Sequence, residues 1–185
     1  HGKQIFNMSA SYQVEETGRE HQIDMPDAPD PETLASDYDL RKKIADKVPE
    51  DWRDSFLRRR PFEMRPVEPK NIFKPEKLEP KQMVWFKADA GMPSDVPANQ
   101  AMLAYMSDTT LLDTCLRPHA LTYMNPKLQS ASLDHAMWFY HPSQADQWIL
   151  YVQDSPASAG GRGMNFGPFF TQDGKLICST AQEGL

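Results

Sequence analysis

The sequence predicts an α+β chain: an antiparallel sheet curved around one long helix. Three observations predict it. Residues 98–116 are the best helical stretch, with Ala101, Ala104, Tyr105, Leu112 and Cys115 at helical spacing. Strand-like segments flank that stretch, at 62–68 and 82–88 before it and at 130–140, 147–153, 162–171 and 176–183 after it. Between the last two lies Gln172-Asp173-Gly174, and Asp-Gly is a strong hairpin signal. One helix among several antiparallel strands is expected to be wrapped by the sheet, with its apolar stripe buried.

The elements follow in chain order. His1-Gly2-Lys3 reads as the second half of a turn, and residues 4–13 read as a strand with no partner before it. A lone strand is not stable in water. This one is expected to pair with another segment or chain, so the chain is expected to begin inside a larger structure. Residues 15–80 are rich in proline and charge, which is connector composition. Within them, Ser36 is placed to cap a helix over 37–48 that stops at Pro49. Trp52, Phe56 and Leu57 suggest a second short, docked helix. Arg58, Arg59 and Arg60 form a basic run, readable as solvated surface or as contacts for the phosphates of an anionic cofactor.

Composition narrows the function classes. Of 185 residues, 39% are hydrophobic, with four Trp and nine Phe, enough for a real core. A net charge of −6 gives no general reason to expect nucleic-acid binding. Two cysteines, Cys115 and Cys178, do not make a disulfide framework. Both lie in apolar runs and are expected to be buried thiols of a reducing compartment. No apolar run approaches the roughly 18–20 residues that cross a bilayer.

Asp108 is the first candidate for chemistry. It falls on the apolar stripe of the expected helix, where a carboxylate must be paired, neutralised or used. A hydrogen-bonded structural role stays open beside a catalytic one. Asp134-His135 invites a dyad reading. Neighbours on a strand point to opposite faces, however, so Asp134 is not expected to orient His135 directly. Ser132 lies two residues earlier, on the face of Asp134. No Gly-x-Ser-x-Gly elbow surrounds any serine. The His and Cys residues lack metal-ligand spacing, and no metal is expected. Gly160-Gly161-Arg162-Gly163 fits no phosphate-binding fingerprint and is expected to be a turn. Gln182 shares a face with Leu176, Cys178 and Thr180. It reads as an ordinary strand end or as a donor and acceptor aimed into a pocket.

These residues sit in longer motifs. Ser132-Leu133-Asp134-His135-Ala136-Met137-Trp138-Phe139, Phe170-Thr171-Gln172-Asp173-Gly174 and Ser179-Thr180-Ala181-Gln182-Glu183-Gly184 resemble the acyl-CoA thioesterase II family. Further matches are Glu20-His21-Gln22, Met25-Pro26, Arg65-Pro66-Val67-Glu68, Tyr105-Met106-Ser107-Asp108 and Arg117-Pro118-His119. The resemblance runs through essentially the whole chain, in order. It implies a double hotdog, each hotdog being an antiparallel sheet wrapped around a long helix. Residues 1–14 then match the last strand of an incomplete first hotdog, 15–60 the connector, and 61–185 the second hotdog.

The resemblance also implies a reaction. Its catalytic set is an Asp on the second hotdog helix, a Thr on the following strand and a Gln on the last strand, which hold and activate a water. By motif position these are Asp108, Ser132 and Gln182. Ser132 stands where the family usually has Thr. It keeps the hydroxyl and lacks the β-methyl that stiffens χ1. Acyl-CoA would be hydrolysed to fatty acid and CoA, with no cofactor, CoA being part of the substrate. The alternatives are a hydratase-like reaction run by Asp134 and His135, or a truncated, non-catalytic interaction module. The implied partners are a second copy or a chain supplying the rest of the first hotdog. The implied location is cytoplasmic in a bacterium and peroxisomal in a eukaryote. Arg58–Arg60 and Arg162 are the guesses for CoA contacts.

Overall fold

Six strands form one antiparallel sheet in the computed structural model, which describes residues 2–185. They are β1 (Phe62–Pro66), β2 (Lys81–Ala88), β3 (Ala136–Phe139), β4 (Ile149–Ala159), β5 (Arg162–Thr171) and β6 (Leu176–Gly184). Their order across the sheet is β1-β2-β4-β5-β6-β3. Two short helices, α1 (Asp37–Lys42) and α2 (Glu50–Phe56), precede the sheet. The long helix α3 (Val96–Ser107) lies between β2 and β3. This is the predicted architecture, and the strands at 82–88, 162–171 and 176–183 fall within a residue of expectation.

Turn chemistry sets the registers. Gly160 and Gly161 both take positive φ, 60° and 75°, and Ala159 pairs with Arg162 across them. Two consecutive left-handed residues make the tight turn whose twist suits a hairpin, and glycine takes them without strain. The glycine-rich run is therefore a turn, as expected. Gly174 takes φ 91° in the β5–β6 hairpin, where Thr171 N–H donates to the Lys175 carbonyl at 2.9 Å.

Alternation along the strands buries both faces of the sheet. Phe86, Ile149, Tyr151 and Phe169 turn to one side, where they pack with Leu103 and Met106 of α3. Trp85, Leu150 and Phe170 turn to the other side with Trp148, where Met25, Ala28 and Leu34 of the proline-rich segment cover them. Trp85 Nε1 donates to the Pro29 carbonyl at 3.0 Å and Trp148 Nε1 to Glu32 at 2.8 Å. Part of the connector is thus a lid on the outer face, held by indole donors that burial would otherwise leave unpaired.

Several boundaries differ from expectation. Ser36 caps α1 as foreseen, accepting from Asp39 N–H at 3.0 Å. The helix nevertheless ends at Lys42 and yields to a 3-10 turn at Ala45–Lys47, where Arg53 takes the Ala45 and Val48 carbonyls. Trp52 on α2 is exposed rather than docked. Strand β4 runs on to Ala159, and β3 shrinks to Ala136–Phe139, with a single bridge at Ser132↔Gly184 ahead of it. Residues 4–13 form no strand and are exposed. Extended backbone needs a neighbouring strand for its hydrogen bonds, and none among the described residues lies beside it. His1, part of the expected opening turn, lies outside the described residues. Both cysteines are free and buried, as expected, and burial pushes the Cys178 thiol up to about 12.

Tyr151 stacks on Phe169 with ring centroids 3.7 Å apart. The space above the ring is kept by Gly167, where a Cβ would stand 2.7 Å from Tyr151 Cζ. Gly167→Ala is expected to lower stability by about 1–3 kcal/mol through overpacking, read as a lower midpoint in urea. Gly18→Ala, at an open site, is expected to be close to neutral in the same titration.

Candidate active site

Three side chains from distant parts of the sequence meet at one end of α3. Gln182 Nε2 donates to Asp108 Oδ1 at 2.7 Å and also to Ser132 Oγ. Ser132 Oγ donates to the same Asp108 oxygen at 3.1 Å. Gln182 is fully buried, whereas Asp108 and Ser132 are exposed. The cluster therefore opens to solvent on one side and is anchored in the sheet on the other. The acceptor-only carboxylate fixes which end of the Gln182 amide faces it. The other end, Oε1, is buried with no protein partner.

Asp108 comes to this position because α3 stops there. The expected single helix over 98–116 is two pieces: α3, and a 3-10 helix at Leu112–His119. Asp95 caps the start, accepting from Ala98 N–H at 3.1 Å, and Pro97 fits the first turn, where no N–H is needed. The end falls in Ser107-Asp108-Thr109-Thr110, whose short polar side chains compete for backbone hydrogen bonds. Behind it, Gln82 Nε2 donates to the Thr110 carbonyl at 2.9 Å and to Gln153 Oε1 at 2.7 Å. Gln153 Nε2 donates to Thr110 Oγ1 at 2.5 Å. Two glutamines of neighbouring strands thus hold the turn that follows Asp108.

The buried face of α3 is Asn99, Leu103, Met106 and Ser107. Of the expected stripe, Ala101, Ala104 and Tyr105 are exposed, whereas Leu112 and Cys115 are buried in the 3-10 helix that follows. Asp108 is therefore not a buried carboxylate, and the argument from buried charge does not hold for it. Leucine and methionine bury far more area than alanine, so they choose the face. What marks Asp108 is its pair of donors.

The other sequence candidates are distributed differently. Asp134 Oδ1 accepts the Glu183 N–H at 2.8 Å, while His135 Nε2 lies 2.8 Å from Ser107 Oγ. The two side chains reach different partners and make no dyad, as expected, although both lie ahead of β3 and not within a strand. Arg59 lies over the Tyr38 ring at 4.2 Å and Arg60 is 3.6 Å from Asp37. Arg162 is 3.3 Å from Glu183. Among the described residues no group of three or more His, Cys, Asp or Glu is arranged to hold a metal ion. Gln82, Gln153 and Asn165 were not singled out from the sequence. Their signal is a polar side chain inside a buried strand.

A family model for acyl-CoA thioesterases matches residues 51–185. The chain belongs to the acyl-CoA thioesterase family. It is 38% identical over 185 residues to acyl-CoA thioesterase 2 of Haemophilus influenzae, covering all of this chain and 65% of that protein. It is 35% identical over 193 residues to human acyl-coenzyme A thioesterase 8, covering all of this chain and 60% of that protein. The chain thus spans about 60–65% of the length of these relatives. A crystal structure of an acyl-CoA thioesterase II from Mycobacterium marinum superposes with a TM-score of 0.71 at 36% identity, over 94% of this chain and 59% of that one. A hotdog-fold protein of unknown function from Alicyclobacillus acidocaldarius superposes at 0.64 with 18% identity, over 92% of this chain and 57% of that one. The latter likeness speaks for the fold alone. The fold is a hotdog.

The glutamine pair behind the site is open to test. Gln153→Leu removes acceptor and donor together and takes a partner from Thr114 Oγ1 and from Thr110 Oγ1. A loss of about 1–3 kcal/mol in urea unfolding is expected. An unchanged midpoint would show that this network does not hold the turn after Asp108.

Proposed function

We propose that the chain carries the hydrolytic site of an acyl-CoA thioesterase, with Asp108, Ser132 and Gln182 holding and activating a water. The observation that carries this reading is the double donation from Gln182 Nε2 to Asp108 and Ser132. It joins a base, a hydroxyl and an amide on a cluster open to solvent. The named activity of the relatives supports the substrate class. The same reading includes a first hotdog, from the same protein or a companion chain.

Asp108 is the general base. It takes a proton from the water as the water oxygen bonds to the thioester carbonyl carbon. Ser132 and Gln182 fix the orientation of that water, which removes entropy from the barrier. A main-chain N–H stabilises the developing oxyanion. The tetrahedral intermediate collapses, the carbon–sulfur bond breaks, CoA leaves as a thiolate, and Asp108 gives up its proton to the departing thiolate or to solvent. A thiol has a pKa of about 8.5, so the leaving group makes little demand for a general acid. The products are a fatty acid and CoA. The residues supply every step, and no cofactor enters.

Asp108→Asn keeps the shape and removes the base. Release of CoA from a medium- or long-chain acyl-CoA is expected to fall by about 100-fold or more, followed as free thiol. Ser132→Thr keeps the hydroxyl and is expected to stay within a few-fold of the parent. Near-normal hydrolysis by the Asn variant would remove Asp108 from its role.

A further inference from the structure

Asp134 and His135 are used by no step of the proposed reaction, yet both are engaged. Each reaches the neighbour of a different site residue. Asp134 Oδ1 accepts the N–H of Glu183, next to Gln182, at 2.8 Å. His135 Nε2 lies 2.8 Å from Ser107 Oγ, next to Asp108. Ser107 Oγ also lies 2.9 Å from the Ala104 carbonyl, and the His135 tautomer sets which member of the Ser107–His135 pair donates.

The segment they hold has little support of its own. Ser132 lies ahead of β3 and touches the sheet through one bridge, to Gly184. Leu133 N–H donates to the Glu183 carbonyl at 2.9 Å and Ala131 N–H to the Leu185 carbonyl at 2.8 Å. These bonds, with the return donation from Leu185 N–H to the Ala131 carbonyl at 3.0 Å, attach the segment to β6 and the residue that follows it. The N–H of Glu183 is taken by a side chain where a strand ladder would use a main-chain carbonyl. A bond to α3 near Asp108 comes from His135.

We propose that Asp134 and His135 are positioning residues, which clamp the Ser132 segment to β6 and to α3 so that Ser132 Oγ meets Gln182 and Asp108. The proposal rests on the reading of the site given above. The adjacent side chains reach opposite partners, Glu183 of β6 and Ser107 of α3, and here that divergence is the useful property. One side chain fixes the segment along the sheet edge; the other fixes its distance from the helix. A hydroxyl displaced by about 1 Å is enough to cost about 100-fold in rate.

The test compares deletion with conservative replacement in the full chain. Asp134→Asn keeps an acceptor for Glu183 N–H, and His135→Gln places an amide N–H near the position of Nε2. Asp134→Ala and His135→Ala are expected to lower kcat about 10- to 100-fold with KM within about threefold. The Asn and Gln variants are expected to recover most of that loss. Amide exchange at Glu183 gives a readout apart from activity: faster in Asp134→Ala, protected in Asp134→Asn. Acid–base chemistry by this pair would instead leave Asn and Gln as damaged as Ala, and that result overturns the proposal. Asp108→Asn in the same assay separates the two levels. If it is inactive while both alanine variants hydrolyse normally, the clamps alone are wrong. If it hydrolyses normally, the site reading fails and the clamps fall with it.

Discussion

One amide donating to two oxygens sets the geometry of the candidate site. Gln182 Nε2 reaches Asp108 at the end of α3 and Ser132 ahead of β3, residues 74 and 50 positions away in sequence. Its strand, β6, lies between β5 and the edge strand β3, and Gln182 itself pairs with Asn165 of β5. Burial strips water from the Gln182 amide and makes its donor bonds stronger than they would be at the surface. The same burial makes its unpaired Oε1 costly. Asn165, paired across from Gln182, also has a buried, unpartnered carbonyl oxygen.

The rest of the molecule keeps that strand and helix still. The sheet is packed on both faces, by α3 on one and by the proline-rich segment on the other. Close approaches lock the pieces together. Gly184 lies against Leu112, Gly163 against Cys115 and Gly167 against Tyr151, with no room for a Cβ at any of the three. The Tyr151 hydroxyl lies 3.2 Å from the Ser107 carbonyl and 2.7 Å from Thr180 Oγ1, joining the end of α3 to β6 beneath the site. Burial holds that hydroxyl protonated well above the ordinary tyrosine range, so it remains a neutral donor.

The strands were legible because alternation and turn chemistry are local. Asp173-Gly174 and Gly160-Gly161 mark their hairpins with no knowledge of the rest. The helix was legible in place but not in length or orientation. Small alanines at helical spacing imitate an apolar face, yet Leu103 and Met106 bury more area and turn that face outward. The break after Ser107 depends on Gln82 and Gln153, which a local reading of 98–116 does not contain. Asp108 was therefore singled out by an argument from burial that the structure does not support. Gln182 reads locally as a strand end or a pocket donor, because nothing near it in sequence announces partners so far away. Motif resemblance named both residues, and the structure brings both to Ser132.

The central claim is that this cluster acts on a water directly, with the Asp108 carboxylate as base and not as nucleophile. The most direct measurement is a single turnover with enzyme in excess over acyl-CoA in 18O-labelled water. Direct attack by water predicts one label in the released fatty acid and none in the peptide containing Asp108. An unlabelled first-turnover product, with the label found in Asp108, would mean an acyl–aspartate intermediate and would contradict the account.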